Sequence, residues 1–158
     1  MGLFPSWDTL TTLRQATYNS SNKSINQTGS FCNFIPIFLN IEVKKWYVNK
    51  DPALQLGPWV AAECNKRAIE GYPLNMPVFA IEVDGDLWYL HAAIARTNPK
   101  RPDKPDIFFF GHLRIGDTNY EDDTRRLVET LCDIAYWGQT EYRGWFEENI
   151  VAKHKSEM

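Results

Sequence analysis

The stretch PIFLNIEVK, residues 36–44, combines an apolar strand pattern with polar side chains at fixed positions. Successive side chains of a β-strand point to opposite faces of the sheet. The alternation therefore predicts an apolar face and a polar face, formed respectively by Ile37, Leu39, Ile41 and Val43 and by Asn40, Glu42 and Lys44. An apolar face of this length predicts an inner strand of a mixed sheet.

Glu42 and Lys44 lie two residues apart on the polar face, and two residues span about 6.6 Å along a strand. A carboxylate and an ammonium held at that distance on a stiff element can serve one bound phosphate or one metal ion. The carboxylate can be a hard oxygen ligand for Mg²⁺, and the ammonium can orient or deprotonate an attacking water. About one acid-x-Lys triplet is expected by chance in a chain of this composition, so an ordinary cross-strand ion pair stays an open alternative.

The composition predicts a single globular domain, since the 158 residues are 44% hydrophobic and 14% aromatic. The formal net charge of −3 argues against a broadly basic surface, so any phosphate-binding site is expected to be a local patch. The three cysteines are far apart and predict neither a disulfide framework nor a zinc site. Neither a signal-type N-terminus nor the ~20-residue apolar run of a membrane span is present. We therefore expect an intracellular protein, nuclear or cytoplasmic, with no membrane partner.

Turn and capping signals divide the chain into predicted helices and strands. The first half is expected to form a helix from Asp8 to Ala16 with Asp8 as its cap, the strand over 37–44, and a helix over 53–70 with Asp51 as its cap. The second half is expected to form a hairpin of strands 77–83 and 87–94 with an Asp84-Gly85 turn, a strand over 107–110, a helix over 119–137 that begins with a capping box over 118–121, and an amphipathic segment over 141–151. This order predicts an α/β fold with a mixed central sheet flanked by helices.

Several segments together resemble a known family. They are FLNIEVK at 38–44, ALQLG at 53–57 followed by Trp59 and Ala61-Ala62, the Trp88-Tyr89 hairpin, IGDT at 115–118 and AYW at 135–137. Their spacing and order are similar to those of the PD-(D/E)XK nuclease-like domains found in filamentous fungi, over roughly residues 24–147. The match is more specific than Glu-x-Lys alone, because it extends over most of the chain.

The resemblance implies a restriction-endonuclease-like core and Mg²⁺-dependent hydrolysis of phosphodiester bonds in DNA or RNA. Glu42 would correspond to the metal-binding acid, Lys44 to the catalytic lysine, and Gln55 to the polar residue on the following helix that faces the site. The implied domain covers residues 24–151, with residues 1–23 as an N-terminal peripheral segment and residues 152–158 as a polar tail.

One part of the family pattern is missing. The family places an Asp on the strand before the Glu-x-Lys strand, whereas this chain has no Asp or Glu between Asp8 and Glu42. We therefore expect an N-terminally shortened member with an incomplete acidic site, which binds Mg²⁺ no tighter than millimolar and cleaves weakly or not at all. The alternative function is a catalytically inactive nuclease-fold module that serves as a nucleic-acid or protein interaction surface.

Other chemistry-bearing residues receive plain interpretations. Glu82 can face the same side as Glu42, but a solvated strand position is the expectation. His91, His112 and His154 have no partner at metal-ligand or triad spacing and are expected to be packed or surface residues. The basic loop with Lys100, Arg101 and Lys104 is interpreted as a charged surface loop.

Overall fold

The computed structural model describes residues 7–19, 36–44 and 53–156, which form two compact units. One unit covers residues 38–136, and the other combines residues 1–37 with residues 137–158. The predicted helix cap Asp51 lies outside the described residues, as does the side chain of Gln55. No described helix is both long enough and apolar enough to cross a membrane.

The first unit is built on a mixed four-stranded sheet with the strand order β1-β2-β3-β4. The strands are β1 (Leu39–Lys44), β2 (Val78–Asp84), β3 (Leu87–Arg96) and β4 (Asp106–Asp117). β1 and β2 are parallel, whereas β2, β3 and β4 pair antiparallel in succession. The parallel pair needs a crossover connection, which the helix α2 (Ala53–Ile69) provides. The predicted α/β architecture with a mixed sheet is confirmed.

Helices cover both faces of this sheet. On one face, α2 buries Leu56, Val60 and Cys64 against Val78 and Ala80 of β2. On the opposite face, α3 (Glu121–Trp137) contributes Leu127 and Ile134 to a core with Ile81, Val83 and Ile115. The sheet is therefore flanked by helices, as the sequence predicts, with α2 and α3 on opposite faces.

The position of β1 differs from the prediction. Within the described residues β1 pairs only with β2, so it lies at the edge of the described sheet, whereas the sequence predicts an inner strand. Ile41 and Val43 on its predicted apolar face are 51% and 64% exposed. The reason is that α3 packs over the middle of the sheet, where it reaches Ile81 and Val83 but leaves the end of β1 uncovered.

Two loop boundaries also differ from the sequence prediction. Asp84 pairs with Leu87, so the hairpin turn consists of Gly85 and Asp86, and Gly85 has a positive φ of 62°. That conformation favours glycine, which fixes the turn one residue later than predicted. The predicted capping box at residues 118–121 is wrong, because the Thr118 hydroxyl lies 3.1 Å from Asp86 Oδ1 and α3 begins at Glu121.

The second unit is helical in its described parts. It contains α1 (Trp7–Asn19), the π-helical turn Gly138–Tyr142, α4 (Arg143–Phe146), a second π-helical turn Glu147–Val151 and α5 (Ala152–Ser156). Tyr142, Trp145 and Phe146 are buried, as the amphipathic pattern predicts. Asp8 lies inside the first turn of α1 and does not precede the helix, so its prediction as the helix cap is wrong.

Candidate active site

The polar side chains of β1 belong to a larger polar area on the face of the sheet that α2 partly covers. In-register residues of adjacent strands share a face, so Glu42 lies beside Glu82, and Glu82 beside Tyr89. The next row toward the end of β1 places Lys44 beside Asp84. The polar face of β1 continues onto β2 and β3. From here on, the term polar face means the area formed by Glu42, Lys44, Glu82, Asp84 and His91. It begins where the apolar contact between Ala80 and α2 ends.

Lys44 forms an ion pair across the two parallel strands. Its Nζ lies 3.7 Å from Asp84 Oδ1, and both side chains are partly exposed. The cross-strand ion pair that the sequence left open is therefore present. Exposed pairs of this kind contribute only about 0–1 kcal/mol, so Asp84 orients the Lys44 ammonium without holding it firmly against a competing phosphate.

Glu82 and His91 form a buried pair next to Glu42. Both residues are only 3% exposed, and His91 Nε2 lies 2.9 Å from Glu82 Oε2. The expected solvated position of Glu82 is wrong, because β3 pairs along the whole of β2 and brings His91 over it. Glu82 nevertheless faces the same side of the sheet as Glu42.

The hydrogen bonds of His91 define its tautomer. The backbone N–H of His112 donates to His91 Nδ1 over 3.4 Å, so Nδ1 is an acceptor and the ring proton lies on Nε2. Nε2–H therefore donates to Glu82, and the ring of Phe109 stacks on the imidazole with centroids 5.2 Å apart. His91 is held on three sides and holds Glu82 in turn.

An irregularity in β4 makes room for the His91 ring. The register between β3 and β4 shifts between Leu90 and Ala92, opposite Gly111 and His112. A Cβ atom on Gly111 would collide with the His91 imidazole, and His112 has a positive φ of 64°. β4 continues beyond this bulge and is 12 residues long in total, whereas the sequence predicts a strand that ends at Phe110.

The structure brings only some of the predicted site residues together. Glu42 and Lys44 lie side by side on the polar face, and Gln55 belongs to α2, the helix on that same face. Lys100 lies in an exposed turn, where its N–H donates to Asn98 Oδ1.

Sequence reasoning missed Asp84 as the partner of Lys44 and the buried pair of Glu82 and His91. One signal could have found the buried pair. With the hairpin turn at Gly85-Asp86, Ala80 pairs with His91 and Glu82 with Tyr89, which places Glu82 and His91 on one face as diagonal neighbours.

The donor set on the polar face suits a hard divalent cation. Mg²⁺ is commonly bound through one or two carboxylates together with waters and substrate phosphates. Glu42 is partly exposed and offers a carboxylate of this kind. Within residues 7–19, 36–44 and 53–156, no three His, Cys, Asp or Glu side chains come together as a ready metal site.

The mixed sheet with helices on both faces, together with a strand-borne Glu-x-Lys pair on the polar face, defines an α/β domain of the restriction-endonuclease type. The family model described as the PD-(D/E)XK nuclease superfamily matches residues 4–143. The chain therefore belongs to the PD-(D/E)XK nuclease superfamily. No curated protein and no solved structure matches the chain.

Proposed function

We propose that this protein hydrolyses phosphodiester bonds of nucleic acid in a reaction that requires Mg²⁺. The single observation that carries the proposal is the placement of Glu42 and Lys44 beside each other on the polar face of a PD-(D/E)XK sheet. A hard oxygen ligand and a cation on one rigid strand are the minimum that positions a metal and a scissile phosphate together.

Each residue has a distinct role in the proposal. The Glu42 carboxylate would hold the ion, which supplies Lewis-acid polarisation of the phosphate when bound. The Lys44 ammonium exchanges Asp84 for a phosphate oxygen or the attacking water and offsets the charge that develops there. Gln55, on the helix that packs on this face, would orient the water or the phosphate.

The charges on the polar face support an ion with more affinity than the sequence alone implies. Glu42 and Lys44 nearly cancel by themselves, but the strand register adds Glu82 and Asp84 to the same face. Asp84 is paired with Lys44, so Glu42 and Glu82 leave an excess of negative charge on this face, which favours a divalent cation.

A cleavage assay tests the proposal. Purified protein comprising residues 1–158 is incubated with end-labelled single- and double-stranded DNA and RNA. The Mg²⁺ concentration is about 10 mM, which is high enough for a weak carboxylate site. We expect cleavage that EDTA abolishes and that both Glu42→Gln and Lys44→Ala reduce at least ~100-fold, since each removes a group that stabilises the transition state. Glu70→Gln, on the last turn after α2, is the matched control and should cleave as the wild type does.

The second candidate function is a catalytically inactive module that binds nucleic acid on the same face. It is favoured by one observation, which is that the described residues contain no three-ligand metal group. Fluorescence anisotropy in EDTA distinguishes the two functions. Binding that Lys44→Ala weakens, without any Mg²⁺-dependent cleavage, would establish the module and refute the hydrolase.

A further inference from the structure

We propose that Glu82 supplies a second carboxylate to the ion held by Glu42, and that His91 is the residue that positions Glu82 for this role. The inference rests on the proposed function, because it concerns the same metal site. It differs from the family pattern, in which the second acid precedes the Glu-x-Lys strand.

The parallel pairing of β1 and β2 places Glu82 next to Glu42. Glu42 and Glu82 are direct register partners, and neighbouring strands lie about 4.8 Å apart. Their side chains leave the sheet on the same face, so two carboxylates start within one strand spacing of each other. Two glutamates in this position can both reach one ion.

Only one of the two carboxylate oxygens of Glu82 has a hydrogen-bond partner among the described residues. Its only hydrogen bond within the described part of the chain goes to Oε2, which leaves Oε1 without a donor there. Because only 3% of Glu82 is exposed, water satisfies this oxygen only in part, and a further partner is favourable. In the same described residues, Glu63 Oε2 is the only fully enclosed side-chain oxygen without a partner, so Glu82 Oε1 remains reachable from outside. A cation beside Glu42 would satisfy it.

The orientation of His91 determines which oxygen of Glu82 it binds. Because Nδ1 accepts from the His112 backbone, Nε2–H can only donate, and it points at Glu82 Oε2. The imidazole therefore fixes one carboxylate oxygen and leaves the other directed away from it. Hydrogen-bonding partners behind a metal ligand act in this way, and their loss commonly weakens metal affinity by about 10–100-fold.

Mn²⁺ binding measures the site without depending on turnover. The free Mn²⁺ signal in electron paramagnetic resonance is recorded while Mn²⁺ is titrated, without nucleic acid, into protein comprising residues 1–158. We expect Glu82→Gln and Glu42→Gln each to raise the Mn²⁺ dissociation constant at least about tenfold. Glu63→Gln, which alters a second buried glutamate on α2, is the matched control and should leave the dissociation constant unchanged.

Two further variants separate positioning from folding. His91→Leu removes the N–H donor and should weaken Mn²⁺ binding about tenfold, whereas His91→Gln retains a donor and should restore most of the affinity. Circular dichroism and thermal melts confirm that the compared variants are folded. If Glu82→Gln itself does not fold, the contrast between His91→Leu and His91→Gln decides the question.

Three outcomes would overturn the inference. If Glu42→Gln weakens Mn²⁺ binding but the Glu82 and His91 variants do not, Glu82 is no ligand and the proposed function stands. If Asp84→Asn weakens binding and Glu82→Gln does not, Asp84 is the second acid. If the wild type binds no Mn²⁺ at tens of millimolar, the proposed function and the inference fail together.

Discussion

Among single residues, Gly111 occupies a position that has no room for a side chain. The space that a Cβ would need is filled by the His91 imidazole, which Glu82, His112 and Phe109 hold in place. Glycine is required here because the backbone of β4 approaches the ring closely, and not because of its own dihedral angles.

We predict that Gly111→Ala lowers the free energy of unfolding by about 1–3 kcal/mol, the usual range for overpacking a buried site. Urea denaturation measures the change. Gly57→Ala is the control, because a Cβ at Gly57 in α2 meets nothing within 4 Å and alanine favours the helix by up to ~1 kcal/mol. A Gly111→Ala protein as stable as the wild type would mean that the His91 ring is free to move.

At the scale of elements, α2 buries a thiol in the core that covers the sheet. The pKa of the Cys64 thiol is raised from its ordinary value of 9.0 to about 11, mainly because the thiol is buried. The positive charge of Arg67 lowers this pKa and the negative charge of Glu63 raises it, but both effects are smaller than that of burial. A folded-state pKa above the unfolded value favours folding below the unfolded pKa. This contribution is lost as the pH rises from about 9 to about 11, because the unfolded chain ionises first.

The corresponding prediction compares wild type with Cys64→Ala. We expect the stability difference between the two proteins to be smaller at pH 10 than at pH 8, since only the wild type loses stability through the thiol. Chemical denaturation at both pH values measures it. A difference that stays constant between pH 8 and pH 10 would show that Cys64 is not desolvated in the fold.

The elements also show which parts of the structure the sequence could predict. The β2–β3 hairpin and both flanking helices follow from local patterns, because Asp84-Gly85-Asp86 and the apolar period of α3 act over a few residues. The edge position of β1 and the length of β4 do not follow. They depend on strand pairing and on the fit between Gly111 and His91, which are contacts between distant parts of the chain.

In the candidate site too, the local part could be predicted from the sequence, whereas the contacts between distant residues could not. Glu42 and Lys44 are two residues apart on one strand, so their common face follows from strand geometry alone. Glu82, Asp84 and His91 join them only through the registers of β1 with β2 and of β2 with β3. With the hairpin turn at Asp84-Gly85, as in the sequence prediction, His91 would pair with Val78 and not with Ala80, so it would no longer be a diagonal neighbour of Glu82.

At the scale of the whole molecule, the fold places an apolar core and a polar area on one face of the same sheet. α2 packs on the end of that face near Val78 and Ala80, and the remaining part carries the charged row of Glu42 and Glu82. Our proposal of phosphodiester chemistry for this arrangement rests on membership of the PD-(D/E)XK nuclease superfamily. The fold alone would not, because one fold supports many activities.

The dependence of the cleavage rate on Mg²⁺ concentration tests whether the polar face is a metal-dependent active site. Initial rates on labelled DNA and RNA are measured over a wide range of Mg²⁺ for the wild type and for Glu42→Gln. We predict that the wild-type rate saturates with a midpoint of about 1 mM, as expected for a site of one or two carboxylates, and that Glu42→Gln shows no saturable rate. Cleavage that persists in EDTA, or a rate curve that Glu42→Gln leaves unchanged, would contradict the assignment of the polar face as the metal-dependent active site.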